Sequence, residues 1–223
     1  MNIKPKAKTE KIVYFVRHGQ SEDNAAPLFQ GPQSPLSEKG KMQANFIAKR
    51  VCSLSFEALI SSPLQRAKQT AEAIALSTHK QIDFSDLFVE RVKPSEINGK
   101  PHPDKRASEL WRDWEKSMST PGLRVSDAEN YDDIIIRADR ALAYLYDRPE
   151  KILVVVTHGY FLRALVARVL LGDSLSAKSF KHFHTSVSGM ENTGVSVLLY
   201  EGAFEQEPCW RLHAYNDHTH LAE

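Results

Sequence analysis

The sequence predicts an α/β protein of three layers, with helices on both faces of a mostly parallel central sheet. Three observations predict it. Two apolar runs, Ile12-Val13-Tyr14-Phe15-Val16 and Ile152-Leu153-Val154-Val155-Val156, lack the alternation of a half-wetted strand and read as strands buried on both faces. Strand-like and helix-like segments alternate along the chain, as crossover connections require. The helical segments carry apolar stripes suited to covering a sheet. At 223 residues, with 42% hydrophobic and 26% charged residues, the chain can bury one sizeable core as a single domain spanning 1–223.

Taken in order, residues 1–10 read as a disordered lead, and strand 12–16 follows. A polar loop runs from Gly19 to Pro35 with Gly31 and Pro32 inside it. Leu36-Ser37-Glu38 opens a helix whose apolar face is Met42, Phe46, Ile47 and Val51. Ala58-Leu59-Ile60 is a short strand. Ser62-Pro63 then starts a helix, serine as N-cap and proline at N1, with Leu64, Ala67, Ala71, Ile74 and Ala75 as its buried stripe. A strand over 81–84 and the run Leu87-Phe88-Val89 lead to Glu90.

From Arg91 to Asn130 the periodicity fails at Pro94, Pro101, Pro103 and Pro121, and this segment is read as a small cap insertion. A short helix is expected within it from Ala107 to Met118. Regular structure returns with a helix bearing Ile134, Ala138, Ala141, Leu142 and Leu145, stopped before Pro149. After strand 152–156 a helix carries Phe161, Leu162, Leu165 and Val166 and ends at Gly172. Strands over Val195–Tyr200 and Trp210–Ala214 close the chain.

A formal charge of +1 gives no global attraction to nucleic acid or an anionic membrane, so an anion site has to be built locally. Two cysteines, Cys52 and Cys209, are too few for a secreted disulfide scaffold, and the lysine-rich start has no apolar signal core. A cytoplasmic protein without membrane spans is expected.

Ligands of open α/β sheets sit beyond the carboxyl ends of strands. Arg17-His18-Gly19 and Thr157-His158-Gly159 occupy two such ends, and Ser61-Ser62 a third, with Arg66 one turn further on. Two imidazoles, two guanidiniums and a helix N-terminus would make a compact phosphate pocket on a nearly neutral protein.

These residues carry a resemblance. Arg17-His18-Gly19-Gln20-Ser21-Glu22-Asp23-Asn24 resembles the RHGxSxxN signature of the histidine phosphatase, or phosphoglycerate mutase-like, superfamily. It extends through Ser34-Pro35-Leu36-Ser37-Glu38-Lys39-Gly40, through Ser61 to Ala71, and through Val156-Thr157-His158-Gly159, four motifs in order. The resemblance implies a phosphoglycerate mutase-like fold of branch 1 and a phosphatase that works through a phosphohistidine on His18, with no cofactor and no metal. It further implies that Arg17, Asn24, Arg66 and His158 hold the phosphoryl group, with Gln30, Gly31 and Gly159 beside it. Glu90 matches the family's proton donor. The substrate is expected to be a small phosphorylated metabolite, with homo-oligomerisation left open.

Two departures stand out. Many members follow the glutamate with a Gly-x-Trp-Glu-Gly-like run, whereas this chain reads Arg91-Val92-Lys93-Pro94-Ser95-Glu96, which makes Glu96 a rival acid. Gln20 stands where glutamate is frequent. The alternatives are phosphoglycerate mutase-type transfer, a protein or sugar bisphosphate phosphatase of the same superfamily, and a binding protein that keeps the pocket without turnover. Trp111 and Trp114 are read as packing of the cap helix, His182 and His184 as exposed, and His213, His218 and His220 as unconnected with metal.

Overall fold

In the computed structural model, which describes residues 8–203 and 206–221, the two apolar runs lie side by side in the middle of one six-stranded sheet. Its strands are β1 (Lys8–Arg17), β2 (Ala58–Ser61), β3 (Ile82–Phe84), β4 (Ile152–Thr157), β5 (Val195–Ala203) and β6 (Gln206–Asp217), in the order β3-β2-β4-β1-β5-β6. Strands β1 to β4 are mutually parallel, and the β5–β6 hairpin adds an antiparallel edge beside β1. The register pairs Val16 with Val156 and Arg17 with Thr157, so His18 and His158 leave the sheet together.

The pleat sorts the side chains of each central strand onto two faces. Val16, Val154 and Val156 meet α2 (Glu38–Cys52) and α3 (Gln65–Thr78) through Ile47, Val51, Ala67 and Ile74. Val13, Phe15, Leu153 and Val155 meet α5 (Tyr131–Asp147) and α6 (Gly159–Leu171) through Ile134, Leu145, Phe161 and Leu165. This is the expected three-layer arrangement. The one-turn helix α1 (Glu22–Ala25) follows β1, while the cap helix α4 (Lys105–Ser117) and α7 (Ala177–Ser186) add Trp114, Ala177 and Phe180 to the core on the α5–α6 side. No helix among the described residues is long and apolar enough to cross a membrane.

Several expectations are corrected. Of the lead expected over 1–10, residues 1–7 lie outside the described residues, while Lys8–Glu10 are already strand because β5 extends far enough to pair with Lys8 and Thr9, with a register shift at Glu10. Met42 and Phe46 are exposed; α2 buries Gly40, Ala44, Ile47, Ala48 and Val51, a row one position over. The third helix starts at Gln65, since Ser62 turns its hydroxyl to His158 and only weakly to the Leu64 N–H at 3.3 Å. The structure adds helix α7, for which Ser176 and Ser179 form a capping box.

Within residues 91–130, α4 starts on an Asp104 cap and packs Trp114 inward, its indole N–H donating to the Glu129 carbonyl at 2.8 Å. The segment is stitched to the loop after β1. Phe29 N–H donates to Lys100 O, Gly99 N–H to Phe29 O and His102 N–H to Pro27 O, and Phe29 packs in a small core with Ile97 and Ala107. The polar loop after β1 and the cap segment are thus two sides of one seam.

Candidate active site

A close backbone contact fixes the turn after β1. An added Cβ on Gly19 would lie 2.6 Å from the Gly40 carbonyl oxygen, and one on Gly40 only 1.9 Å from that of Gln20. The first turn of α2 therefore packs directly on the chain at Gly19-Gln20. Gly19 N–H also donates to Thr70 Oγ1 at 3.1 Å, and the His18 carbonyl accepts from Asn192 Nδ2 at 3.0 Å. These contacts anchor the backbone on which the first imidazole stands.

His18 is 2% exposed, and its Nδ1 lies 2.7 Å from the Gly19 carbonyl oxygen. A carbonyl can only accept, so Nδ1 carries the proton and Nε2 keeps its lone pair. Arg66 Nε donates to that Nε2 at 3.2 Å. Burial, followed by the charges of Arg66 and Arg17, drives the His18 pKa well below the ordinary imidazole value against the opposing Gly19 carbonyl. The ring is a neutral base pinned in one tautomer.

His158 is fully buried, its ring centroid 4.9 Å from that of His18, and its Nε2 is 2.8 Å from Ser62 Oγ. Burial and then Arg66 hold its pKa well below the ordinary value too. Its Nδ1, like Arg17 Nε, is buried without a hydrogen-bond partner among the described residues. Arg17 bonds the Met190 carbonyl and lies against Gly159, where an added Cβ would sit 3.3 Å from its Nε. Arg66 is 3% exposed, reaches the Gly31 carbonyl at 3.1 Å, and is drawn down to about 10 chiefly by burial.

Glu90 caps α6. Its Oε1 accepts from the N–H groups of Arg91 and Phe161 at 3.0 Å, and its Oε2 from that of Tyr160 at 3.2 Å. Arg137, paired to Glu129 at 2.7 Å, donates to the carbonyls of Leu87 and Val89 and so fixes the chain leading to it. Glu96 stands elsewhere, exposed and paired with Arg106 at 2.9 Å.

Arg17, Arg66, Glu90 and Gly159 open onto a cleft of 920 Å³, which Asn24, Gln30 and Gly31 also line. Asn24 is exposed and its Oδ1 accepts from Gln30 Nε2 at 3.2 Å. The two imidazoles lie beneath the cleft surface. Sequence reasoning passed over Lys93 and Arg163, which also face the cleft. Lys93 bonds the Gln30 carbonyl, and burial with Arg66 nearby lowers its ammonium to about 8. Arg91 stacks over Tyr160 and Trp114 at 3.9 and 4.2 Å and pairs with Glu115. Only Arg91 carried a signal, as the neighbour of Glu90; the others converge through tertiary structure alone.

One histidine reading is corrected, and His220 and Trp111 have further contacts. His184 is not exposed: it packs on Tyr160 at 4.6 Å, and burial lowers it to about 4. His220 joins Arg50 to Thr193 by hydrogen bonds at 3.0 and 3.1 Å. Trp111 packs as expected, yet it also lines the cleft.

The family model for the histidine phosphatase superfamily (branch 1) matches residues 13–213. A protein of Photorhabdus laumondii named "Probable phosphoglycerate mutase GpmB" is 32% identical over 94% of both chains, and its Salmonella arizonae namesake is 33% identical over the same share. Among solved structures, the mycobacterial glucosyl-3-phosphoglycerate phosphatase superposes with a TM-score of 0.73 at 23% identity, covering 96% of this chain and 100% of that one. A mutant phosphoserine phosphatase from Entamoeba histolytica, in complex with phosphoserine, gives 0.73 at 20% identity, covering 95% and 99%. At those identities the likeness is one of fold.

Proposed function

Because the chain belongs to branch 1 of the histidine phosphatase superfamily, we propose that it hydrolyses phosphate monoesters through a phosphohistidine on His18, without a metal. The observation that carries this reading is the pinned neutral imidazole. With Nδ1–H held by the Gly19 carbonyl, only Nε2 can attack, and its lone pair is freed for phosphorus when the Arg66 Nε–H that it accepts passes to a phosphoryl oxygen. Arg17 and Arg66 neutralise the phosphoryl oxygens, the task that divalent cations perform in other phosphoryl-transfer enzymes. If the Ser62 hydroxyl donates to His158 Nε2, then His158 Nδ1 carries a proton for a phosphoryl oxygen. Asn24 adds a neutral donor from the rim.

In the first step Nε2 bonds to phosphorus, the ester P–O bond breaks, and the leaving alkoxide takes a proton from Glu90. Three of the carboxyl group's four lone-pair positions accept backbone N–H groups, which leaves one on Oε2 to bear that proton. In the second step Glu90 takes a proton from water as it attacks phosphorus, and the P–N bond returns its electrons to Nε2. Residues 1–223 act as one catalytic unit, with 91–130 as its cap.

The curated relatives' name supports a second reading, in which the phosphoryl group returns to a bound phosphoglycerate instead of to water. A panel of phosphate esters assayed in EDTA separates the two, alongside acid-labile, alkali-stable labelling of the protein. Wild type should hydrolyse esters and label, His18→Ala should do neither, and Glu90→Gln should lose about 10²- to 10⁴-fold in kcat. Activity that survives His18→Ala, or that dies in EDTA, would overturn the mechanism. Phosphoglycerate isomerisation outpacing hydrolysis would favour the mutase.

A further inference from the structure

We infer that the alcohol released by this enzyme is bulky and carries a flat apolar face, which packs on a preformed aromatic wall of the cleft; the inference rests on the phosphatase reading above. The cleft lining is of two kinds. Arg17, Arg66 and Glu90 are the polar groups beside which the phosphoryl group would sit. Leu28, Phe29, Trp111, Tyr160 and Met190 form apolar lining that no step of phosphoryl transfer uses.

Size points the same way. At 920 Å³ the cleft lies at the upper end of the range that encloses a drug-sized ligand. The alcohol half of a three-carbon phosphate ester would fill a small part of it and leave the open part of the Trp111 indole wet, since Phe29 and Tyr160 are already buried behind it. Holding part of an indole against water gains nothing for hydrolysis, whereas a flat apolar group laid on it recovers buried area and a ring contact together.

The wall is also built before any ligand arrives. Trp111 is half-buried, its ring centroid 5.1 Å from that of Phe29 and 5.0 Å from that of Trp114. Phe29 is held in turn by the backbone seam to Gly99 and Lys100 and by His102 at 4.7 Å. Two distant segments thus fix the aromatic surface, so little ordering entropy opposes its use in binding.

Two pairs of esters test this, each matched in leaving-group acidity: phenyl against 2-naphthyl phosphate, and ethyl against 2-phenylethyl phosphate. The larger member of each pair should have a kcat/KM about tenfold higher, as a ring contact and the added apolar area would give. Trp111→Ala should collapse that ratio toward one, and Trp111→Phe should keep most of it. A wild-type ratio near one, or an alanine variant that slows both members equally, would overturn the inference. Should no ester turn over, or should His18→Ala remain active, the phosphatase reading itself falls. Calorimetry with 2-naphthylmethylphosphonate against methylphosphonate then decides the wall without catalysis: tighter binding of the naphthyl compound supports it, and equal binding refutes it.

Discussion

Gly40→Ala sets helix propensity against packing. In an ordinary exposed helix the change stabilises by about 1 kcal/mol, because glycine loses the most backbone freedom on folding. Here the added Cβ would lie 1.9 Å from the Gln20 carbonyl oxygen and 2.9 Å from its carbon. Carbon and oxygen do not normally approach closer than about 3.3 Å, so the two backbones must part by more than an ångström. That movement breaks the Ser37 N–H to Gln20 O bond of 2.9 Å, worth about 1 kcal/mol. It also strains a packed contact, at about 1–3 kcal/mol. The net expectation is destabilisation of about 1–3 kcal/mol, or a Tm lower by roughly 3–10 °C for a chain of this size. Because Gln20 is two residues from His18, kcat should drop by about 10²-fold through misplacement of the imidazole. Thermal unfolding followed by circular dichroism, with ester hydrolysis in parallel, reads both effects. A variant that melts at or above the wild-type temperature with full activity would refute the close approach and the anchoring role assigned to it.

Two further outcomes concern pH. His18, His158, His184 and His220 all have pKa values lowered by burial in the native state, His184 and His220 to about 4. The unfolded chain therefore binds more protons below pH 6.5, and stability, fully present above that value, is lost as pH falls toward 4; urea midpoints that stay constant from pH 7 to 5 would contradict this. Lys93, lowered to about 8, sheds its charge as pH rises through that value. KM for phosphate esters should rise above pH 8 in wild type, and Lys93→Met should raise KM at pH 7 and flatten the alkaline rise.

The central strands were legible because burial on both faces leaves an unbroken apolar run, and their exits followed from fold class. That places Arg17, His18, His158 and Gly159 at one edge before any coordinates. The opening of a helix at Leu36-Ser37-Glu38 was equally legible, since helix starts are signalled locally, whereas the expected cap at Ser62 failed because its hydroxyl is drawn to His158. Met42 and Phe46 misled because apolar character at helical spacing does not say which of two adjacent rows faces the sheet. The seam from Pro27 to His102, the approach of Gly40 to Gln20, and the arrival of Lys93 and Arg163 in the cleft all join segments distant in sequence. Their partners cannot be read from local periodicity. Glu90 shows both limits: its identity came through motif resemblance, but its place on the first N–H groups of α6 needed the fold.

The seam has a bearing on how this scaffold could change. One strip of backbone belongs to the chain just after the first helical turn, the other to the cap, and each supplies donors and acceptors that the other satisfies. Grafting the cap of another protein onto this one would orphan Phe29 and Pro27 unless residues 27–30 travelled with it. Selectivity is therefore inherited as a linked pair of segments some 70 positions apart, and a library that randomises either segment alone samples mostly broken clefts.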